Sequence, residues 1–376
     1  MKVVQKKWKS NTWDQSAKED LGEKADLVLF FGATELLEPN IIQEIQGFYP
    51  KAIVLGCSTA GEIFDTTVED NTISLVAIHF EKTEIVSHSV NIDTVESSYD
   101  AGKNLSSKFD KNGLVHLFVL TEGLHINGTE FVEGMIEKLP TGVTVTGGLC
   151  GDGTRFEETL ISLNGDTNIN KIAAIGFYGE QLKVNYASVG GWDTFGPERV
   201  ITKSKGNVLY ELDNRNALDI YKKYLGKYAD DLPASGLLFP LSLRGKNDQE
   251  GVVRTILGVN EEDKSLTFAG EMIEGSYAKL MKANFDRLID GALTAAELSD
   301  NPENGIPDFA ILISCIGRKL VLKQRIEEEV EVIRDMFGDK PILTGFYSYG
   351  EISPFSKGRR CELHNQTMTI TTFTEL

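Results

Sequence analysis

Apolar and polar positions follow one order three times along the chain, which predicts a repeated structural unit. In the first copy, the apolar run ADLVLFFGA (25–33) predicts a buried strand, and NIIQEIQGFYP predicts a helix because its apolar residues recur at helical spacing. KAIVLGCSTAGEI predicts a strand that ends in a glycine turn, and NTISLVAIHFE predicts a returning strand. The unit is therefore β-α-β-β.

Two further copies keep this order. In the second copy, GLVHLFVLTEG (113–123) predicts the first strand and NGTEFVEGMIEKLP predicts the helix. GVTVTGGLCGDGTRF predicts the strand with its glycine turn, and KIAAIGFYG predicts the returning strand. In the third copy, DFAILISCIGR (308–318) predicts the first strand and KQRIEEEVEVIRDMFG predicts the helix. PILTGFYSYGEISPF predicts the strand with its glycine turn, and QTMTITTFTE predicts the returning strand. A weaker fourth copy is predicted to begin at SGLLFPLSLRG (235–245), followed by a hairpin around NEEDKS.

Units of this kind build sheets with helices packed against them, and the crossover helices favour parallel pairing of the strands they join. The strand after each turn should add antiparallel neighbours. We therefore predict an α/β (α+β) protein with mixed β-sheets built from repeated β-α-β-β units. Two domains are expected, 26–220 and 221–376, with a junction near 218–233, and one sheet running through both halves would count against that division.

The glycine turns are candidate ligand-binding elements. GCSTAGEI (56–63) and GFYSYGEI (345–352) share a frame of glycine, four residues and Gly-Glu-Ile. Open sheets of this class bind ligands at the carboxyl ends of their strands, and exposed N–H groups in such turns hold anions. Glu62, Glu351 and Asp152, the predicted third equivalent, either bind a ligand ammonium or accept backbone N–H groups.

Composition and charge limit the partners and the location that are expected for the protein. The 376 residues include 56 acidic and 38 basic side chains, and the net charge of −18 repels phosphates, so neither nucleic acid nor a membrane is expected as a partner. The apolar runs are too short to span a bilayer, and the N-terminus leads into no signal-peptide core. The four cysteines form no CxxC pair and are expected as thiols, as in a cytoplasmic protein.

Catalytic motifs are missing from the sequence. It contains no glycine-rich nucleotide loop, no GxSxG turn, no HExxH metal motif and no coherent set of nucleophile, base and orienting residue. This absence favours a non-catalytic protein, and it leaves an enzyme of unknown reaction as an alternative.

Several blocks resemble the FIST family, in family order and from about Asp26 onward. They are GCSTAGEI, GGLCGDG, GWDTFGPERVITKSKGNVLYELDNRNALDIY, CIGRKLVLKQRIEEE, GFYSYGEI and ELHNQT. The resemblance implies a FIST N-terminal domain and a FIST C-terminal domain, which together form a bacterial sensory module without an attached effector segment. It also implies a small ligand, with amino acids proposed for the family, and a signalling partner protein. Some members resemble haem-carrying nitric oxide sensors.

The leading interpretation is a cytoplasmic sensor that binds a small polar ligand, such as an amino acid, at the strand-end turns without a cofactor. Arg318 and free N–H groups would hold the ligand carboxylate, Glu351 or Glu62 its ammonium, and Tyr347 its side chain. The candidate ligand-binding residues are Gly56, Cys57, Ser58, Thr59, Glu62, Gly148, Cys150, Asp152, Cys315, Arg318, Gly345, Tyr347, Glu351, His364 and Asn365. The alternatives are a haem-bound nitric oxide sensor with His364 or His125 as axial ligand, an enzyme, and an interaction scaffold.

Overall fold

Three α/β repeats form the body of the protein in a computed structural model, which describes residues 1–14, 20–246, 251–354, 358 and 360–376. The first repeat contains β1 (Lys2–Lys9), β2 (Thr12–Trp13), β3 (Leu27–Gly32), α1 (Pro39–Phe48), β4 (Ile53–Ser58), β5 (Glu62–Phe64), β6 (Thr67–Glu69) and β7 (Ile73–His79). The second contains β8 (Glu84–Asn91), α2 (Ser98–Ser107), β9 (Leu114–Thr121), α3 (Gly128–Ile136), β10 (Thr144–Leu149), β11 (Ile161–Leu163), β12 (Asp166–Asn168) and β13 (Lys171–Tyr178).

The third repeat is interrupted by an inserted β-sheet, which we call the insert (193–282). The repeat opens with β14 (Leu182–Val189). The insert contains β15 (Asp193–Lys205), β16 (Val208–Leu212), β17 (Arg215–Asn216), α4 (Ala217–Leu225), β18 (Leu241–Arg244), β19 (Val252–Arg254), β20 (Ile256–Asn260), β21 (Ser265–Phe268) and β22 (Tyr277–Lys282). The repeat resumes with α5 (Phe285–Ser299), β23 (Phe309–Cys315), α6 (Ile316–Leu322), α7 (Glu328–Phe337), β24 (Ile342–Ser348), β25 (Gly350–Pro354), β26 (Cys361–His364) and β27 (Met368–Glu375).

Local sequence explains why these elements form. All six residues of β3 are buried, as expected for a strand that is covered on both faces. Helix α1 begins at Pro39, whose fixed φ suits the first helical position, and it buries Ile41, Ile42 and Ile45 on one face. Helix α3 is capped by the side-chain oxygen of Asn127. The predicted strands and helices of the three repeats are therefore present.

The repeats exchange hairpins in a cycle. In each repeat, a parallel strand pair (β3–β4, β9–β10 or β23–β24) and a returning antiparallel strand form the centre of a sheet. The hairpin after each glycine turn leaves that sheet: β5–β6 joins β24, β11–β12 joins β4, and β25–β26 joins β10. Each sheet of the repeats is therefore completed by a hairpin from another repeat.

The sheets of the repeats enclose a shared apolar core. Phe31, Phe118 and Phe346, one from each repeat, are fully buried in the same cluster of side chains. The rings of Phe31 and Phe346 stack with their centroids 4.8 Å apart. Helices cover outer faces, as α7 does with Val330 and Ile333. This common core joins the repeats into one body, which we call the repeat core.

The predicted fold class is confirmed, since mixed sheets and helices alternate as expected, but the fourth copy is wrong. Strand β18 belongs to the insert, whose strand order is β19-β18-β22-β15-β16-β21-β20 with β17 paired to β16. No β-α-β-β unit follows it among the described residues of the insert. The hairpin predicted around NEEDKS is present as β20–β21.

Sheets cross the predicted domain boundary at 220. The cyclic exchange places β5 and β6 in the sheet of β24, and β25 and β26 in the sheet of β10, while the insert has strands on both sides of the boundary. By the criterion stated above, this counts against 26–220 and 221–376 as separately folding halves. The units visible in space are the repeat core and the insert.

Candidate functional site

The three glycine turns meet, and their backbones bond to one another. Ala60 donates its N–H to the Tyr347 carbonyl at 2.8 Å, and Tyr347 donates its own N–H to the Gly61 carbonyl at 2.8 Å. Gly151 donates to the Ser58 carbonyl at 3.1 Å. These bonds use N–H groups that the sequence assigned to a ligand carboxylate. The meeting point is therefore a structural junction between repeats.

Strand packing accounts for the glycines of the turns. A side chain at Gly56 would begin 2.4 Å from the Phe30 ring, and one at Gly345 would begin 1.8 Å from the Leu312 carbonyl oxygen. Gly148 is a paired residue of the ladder between β10 and β25. The close approach of neighbouring strands thus excludes larger residues at Gly56 and Gly345 without involving a ligand.

Cys57, Cys150 and Ser58 are buried at the same junction. The thiols of Cys57 and Cys150 contact each other, and burial raises the pKa of Cys150 well above its ordinary value. The Ser58 hydroxyl oxygen accepts the N–H of Leu160 at 2.8 Å. These side chains therefore serve the packing where β4 and β10 end.

Glu62 and Glu351 hold equivalent turns. Glu62 accepts the Thr59 hydroxyl at 2.5 Å and both the N–H and the hydroxyl of Thr72, at 3.0 and 2.8 Å. Glu351 accepts the same three kinds of group, from the serine three residues before it and from Thr367. Burial raises the pKa of each carboxyl to about 7. Of the two roles open from the sequence, these contacts support acceptance of backbone N–H groups.

Asp152 holds a different loop and is not a third equivalent. Its carboxylate accepts the N–H groups of Phe156, Glu157 and Glu158 at 2.8–2.9 Å, and it also accepts the hydroxyl of Tyr349. The loop places the Phe156 ring against the Tyr349 ring, with centroids 4.4 Å apart. Asp152 thereby positions an aromatic pair at the edge of the cavity described below.

Arg318 departs furthest from its predicted role, because it is fully buried. Its Nε and Nη2 donate to the Glu329 carboxylate at 3.0 and 2.7 Å, Nη2 also donates to the Leu288 carbonyl at 2.7 Å, and Nη1 donates to the Gly190 carbonyl. The Tyr347 hydroxyl donates to the same carboxylate at 2.6 Å. The prediction that Arg318 and Tyr347 contact a ligand is therefore wrong, since both side chains are bonded inside the fold.

The bonds of Arg318 also tie the repeat core to both ends of the insert. Gly190 lies just before the first strand of the insert, and Leu288 lies just after its last strand, in α5. Arg318 itself belongs to α6 of the repeat core. One buried side chain thus anchors both chain crossings between the two units.

His364 is buried and bonded as well. Its Nε2 lies 2.8 Å from the Ser353 carbonyl oxygen, and burial lowers the pKa of the imidazole to about 4, so the ring is neutral at pH 7. The nitrogen that bonds Ser353 is turned into the fold rather than toward a cavity. These contacts give no support to the prediction of His364 as a ligand contact or a haem axial ligand.

A cavity of about 350 Å³, which we call the junction cavity, lies where the repeat core meets the insert. The core contributes the loop after β9, the start of α6 and the segment before β27, with His125, Cys315 and Asn365. The insert contributes Thr255 and Phe268. Its volume falls in the range that small-molecule sites occupy in proteins, about 300–1,000 Å³.

Two buried oxygen atoms in this wall have no hydrogen-bond partner. Asn365 is 1% exposed and Thr255 is 5% exposed, and neither Asn365 Oδ1 nor Thr255 Oγ1 is paired. Buried polar atoms are nearly always paired in folded proteins, and an unpaired one costs about 1–3 kcal/mol. The two atoms lie on opposite sides of the junction, one from the repeat core and one from the insert.

The predicted site residues divide among this cavity, a second cavity and the interior. Cys315 and Asn365 line the junction cavity, as does His125 from the haem alternative. The sequence analysis missed the wall supplied by the insert, including Thr255. One available signal was the strand SLTFAGE, which ends in a glycine that lines the cavity, Gly270.

A second cavity of about 380 Å³ surrounds the first glycine turn. Thr59, Glu62 and Asp152 line it, together with Lys319 and Asp70. Lys319 pairs with Asp70, Thr59 bonds to Glu62, and Asp152 is occupied by its own loop. These polar groups are thus paired inside the fold, while the hydroxyl of Thr34, also in this lining, is buried without a partner.

The described residues contain neither a metal-binding cluster nor a membrane-spanning helix. Within the described ranges, no group of three histidine, cysteine, aspartate or glutamate side chains is arranged to hold a metal ion. No helix in this part of the chain has both the length and the apolar character needed to cross a bilayer.

The fold is an α/β core of three hairpin-exchanging repeats with an inserted sheet and a cavity between them. Two segments of the chain match known domains, the FIST N domain over residues 26–215 and the FIST C domain over residues 217–354. The chain therefore belongs to the FIST family, whose domains imply a sensor module of signal transduction. The family resemblance inferred from the sequence is confirmed.

Relatives add little about function. An uncharacterized protein of Methanocaldococcus jannaschii is 23% identical over 348 residues, which cover 84% of this chain and 65% of that protein. The chain thus spans less than two thirds of this relative's length. Two cyanuric acid hydrolase structures, one of them from A. caulinodans, align at 10% identity and a TM-score of 0.18, covering 79% and 78% of this chain and 100% and 99% of theirs. Likeness at this level carries no argument about fold or activity.

Proposed function

We propose that this sensor module binds a small ligand in the junction cavity. The observation that carries the proposal is the pair of buried oxygens without partners, Asn365 Oδ1 from the repeat core and Thr255 Oγ1 from the insert. A ligand with hydrogen-bonding groups would pair these atoms and remove the cost of leaving them unpaired. Membership of a sensor family supports the same conclusion.

The position of the cavity supports a signalling role for its ligand. A molecule held by Asn365 and Thr255 contacts the repeat core and the insert at once, so it stabilises the arrangement in which the two walls face each other. Arg318 anchors both crossings into the insert, and it follows the cavity residue Cys315 by one turn of helix. The proposed output is a ligand-dependent position of the insert that a partner protein recognises.

Two valine variants test the proposal. Thr255→Val removes the unpaired hydroxyl of a residue that lines the cavity, and Thr371→Val removes an unpaired hydroxyl of a buried threonine in β27 that lies outside the described cavity wall. Neither variant strands a hydrogen-bond partner, so both should fold with nearly wild-type stability. The Thr255 variant should bind a ligand about tenfold more weakly, whereas the Thr371 variant should bind it as the wild type does.

The measurement begins with a thermal-shift screen of metabolites, including amino acids. A ligand at one hundred times its Kd stabilises the folded state by about 2.7 kcal/mol, which is readily detected. Calorimetric titration of each hit into the wild type and both variants then gives the affinities. Equal affinities in the wild type and the Thr255 variant would place the ligand elsewhere and refute the proposal.

Haem fits the junction cavity poorly. His125 lines it, but the His125 side chain is 70% exposed and its Nδ1 lies 3.3 Å from Glu122. The described wall holds no lysine or arginine to pair with haem propionates. No haem chemistry is therefore part of the proposal, and the absorption spectrum after incubation with haem should show no Soret band.

Enzymatic chemistry at Cys315 is likewise disfavoured. Burial raises the pKa of this thiol well above its ordinary value, so it is protonated at neutral pH and a poor nucleophile. We include a cytoplasmic location in the proposal because the four cysteines are free thiols, as they would be in a reducing compartment.

A further inference from the structure

The walls of the junction cavity carry hydrogen-bonding groups without charged ones. Its described lining includes asparagine, threonine, glycine and apolar side chains, and it includes no aspartate, glutamate, lysine or arginine. His125 is the imidazole of this lining, and its side chain is mostly turned to solvent. A charged ligand placed here would lose hydration without gaining an ion pair.

Arg254 is a charged residue close to the junction cavity, because it precedes the lining residue Thr255 in the chain. Its Nη1 donates to the Leu363 carbonyl at 3.1 Å and to the Val253 carbonyl at 3.2 Å, and the residue is absent from the described lining. Its Nε is buried and unpaired beside Gly270. The guanidinium thus lies behind the wall, and an anionic probe is needed to show whether a ligand reaches it.

An apolar body is favoured by the rest of the wall. Phe156 and Tyr349 form a stacked aromatic pair, and both line the cavity with Leu149, Leu363 and Phe268. Side chains of this kind stabilise a ligand by removing its apolar surface from water. Burying an ionised group among them without a partner is costly, so a zwitterionic amino acid does not match this wall.

The unpaired atoms specify the polar end of the ligand. The Asn365 side-chain amide can donate or accept a hydrogen bond, and so can the Thr255 hydroxyl. Arg318, which the sequence analysis assigned to a carboxylate, is bonded inside the fold and cannot reach a ligand in this cavity. The cavity therefore offers neutral hydrogen-bonding groups in place of the ionic anchor that the sequence analysis expected.

We infer that the ligand of the junction cavity is an uncharged molecule with an apolar body and at least one neutral hydrogen-bonding group. This inference rests on the proposed function of the cavity and names the chemical class that the cavity selects. A primary amide or an alcohol on an aromatic or aliphatic body meets the description. Free amino acids, carboxylic acids and amines do not.

The test compares one aromatic body with different polar groups. Benzamide and benzyl alcohol are the neutral probes, and benzoate, benzylammonium and phenylalanine are the charged ones. Binding to the full chain is measured by ligand-observed NMR titration, and Thr255→Val with its control Thr371→Val assigns the site. We expect the neutral probes to bind at least about tenfold more tightly than the charged probes and to weaken only in the Thr255 variant.

The outcomes separate failure of the inference alone from failure of the proposed function as well. Charged probes that bind as tightly as the neutral ones, and that also weaken in the Thr255 variant, would overturn the inference and leave the proposed site intact. Binding of benzoate alone would point to Arg254 and overturn it in the same way. If no probe binds, or if binding is insensitive to Thr255→Val, both the inference and the proposed function fail.

Asn365→Asp is an independent check. The new carboxylate would replace the amide in the cavity wall, so benzylammonium should gain affinity relative to benzamide. Asn365→Leu removes the amide and should weaken benzamide without making benzylammonium the tighter probe. An unchanged order of probes in the Asp variant would contradict the contact between Asn365 and the polar group of the ligand.

Discussion

Replacing Arg318 by alanine should greatly lower the free energy of unfolding of the protein, rather than selectively remove ligand binding. The substitution leaves the Glu329 carboxylate buried without its cation, and it leaves the Gly190 and Leu288 carbonyls without donors. Removing one partner of a buried ion pair costs about 3–5 kcal/mol, and each stranded carbonyl adds to that cost. The loss is comparable with the whole stability of many domains, about 5–15 kcal/mol.

Urea unfolding followed by circular dichroism measures this loss. Arg325→Ala is the matched control, because Arg325 lies seven residues further along the chain and pairs at the surface with Glu328 and Asp286. Exposed ion pairs contribute little, so this variant should unfold close to the wild type. Limited proteolysis should cut the Arg318 variant near the crossings at Gly190 and Leu288 before the control is cut.

A double variant separates the ion pair from the rest of the site. Glu329→Gln keeps an acceptor for the Tyr347 hydroxyl while it removes the charge. Arg318→Met combined with Glu329→Gln should therefore cost less than the sum of the two single changes, since no unpaired charge remains buried. A wild-type unfolding midpoint for Arg318→Ala, with ligand affinity lost, would refute this reasoning and restore Arg318 as a ligand contact.

Two further changes probe the turns. Burial raises the pKa of Glu62 and Glu351 from 4.5 to about 7, so folding takes up protons between these pH values. The stability that these groups contribute therefore falls as the pH rises. Glu62→Gln should flatten the dependence of the free energy of unfolding on pH, measured by urea titration between about pH 4.5 and 7. Parallel curves would contradict the raised pKa. Gly345→Ala should lower Tm because its Cβ would lie 1.8 Å from the Leu312 carbonyl oxygen, whereas Gly47→Ala, at an open position of α1, should raise stability by about 0.5–1 kcal/mol. Equal shifts in Tm would count against the close strand approach.

The strands, helices and glycine turns of the three repeats were predictable because local periodicity determines them. Apolar runs such as 27–32 and 309–315 are covered on both faces, and the face of α7 that carries Val330 and Ile333 is buried, as the spacing predicts. The family was also predictable, because its motifs lie within continuous segments. Each of these features depends on residues that are close in the sequence.

The exchange of hairpins was decided by tertiary structure. The sequence of the short strands after the turns does not indicate which sheet they join. Hairpin β5–β6 pairs with the sheet of the third repeat because the three repeats pack around one core. The turns could be recognised from the sequence, but not the fact that their N–H groups bond to one another. Domain boundaries placed along the sequence consequently cut through sheets.

The role of Arg318 and the location of the cavity also depend on distant partners. Arg318 follows a strand end, where an exposed ligand anchor was a reasonable prediction, yet its acceptors lie 11, 30 and 128 residues away in the chain. Asn365 and Thr255 face one cavity only because the insert packs back against the repeat core. Sequence determines which groups can form hydrogen bonds, whereas tertiary packing decides which of them are paired inside the fold and which remain for a ligand.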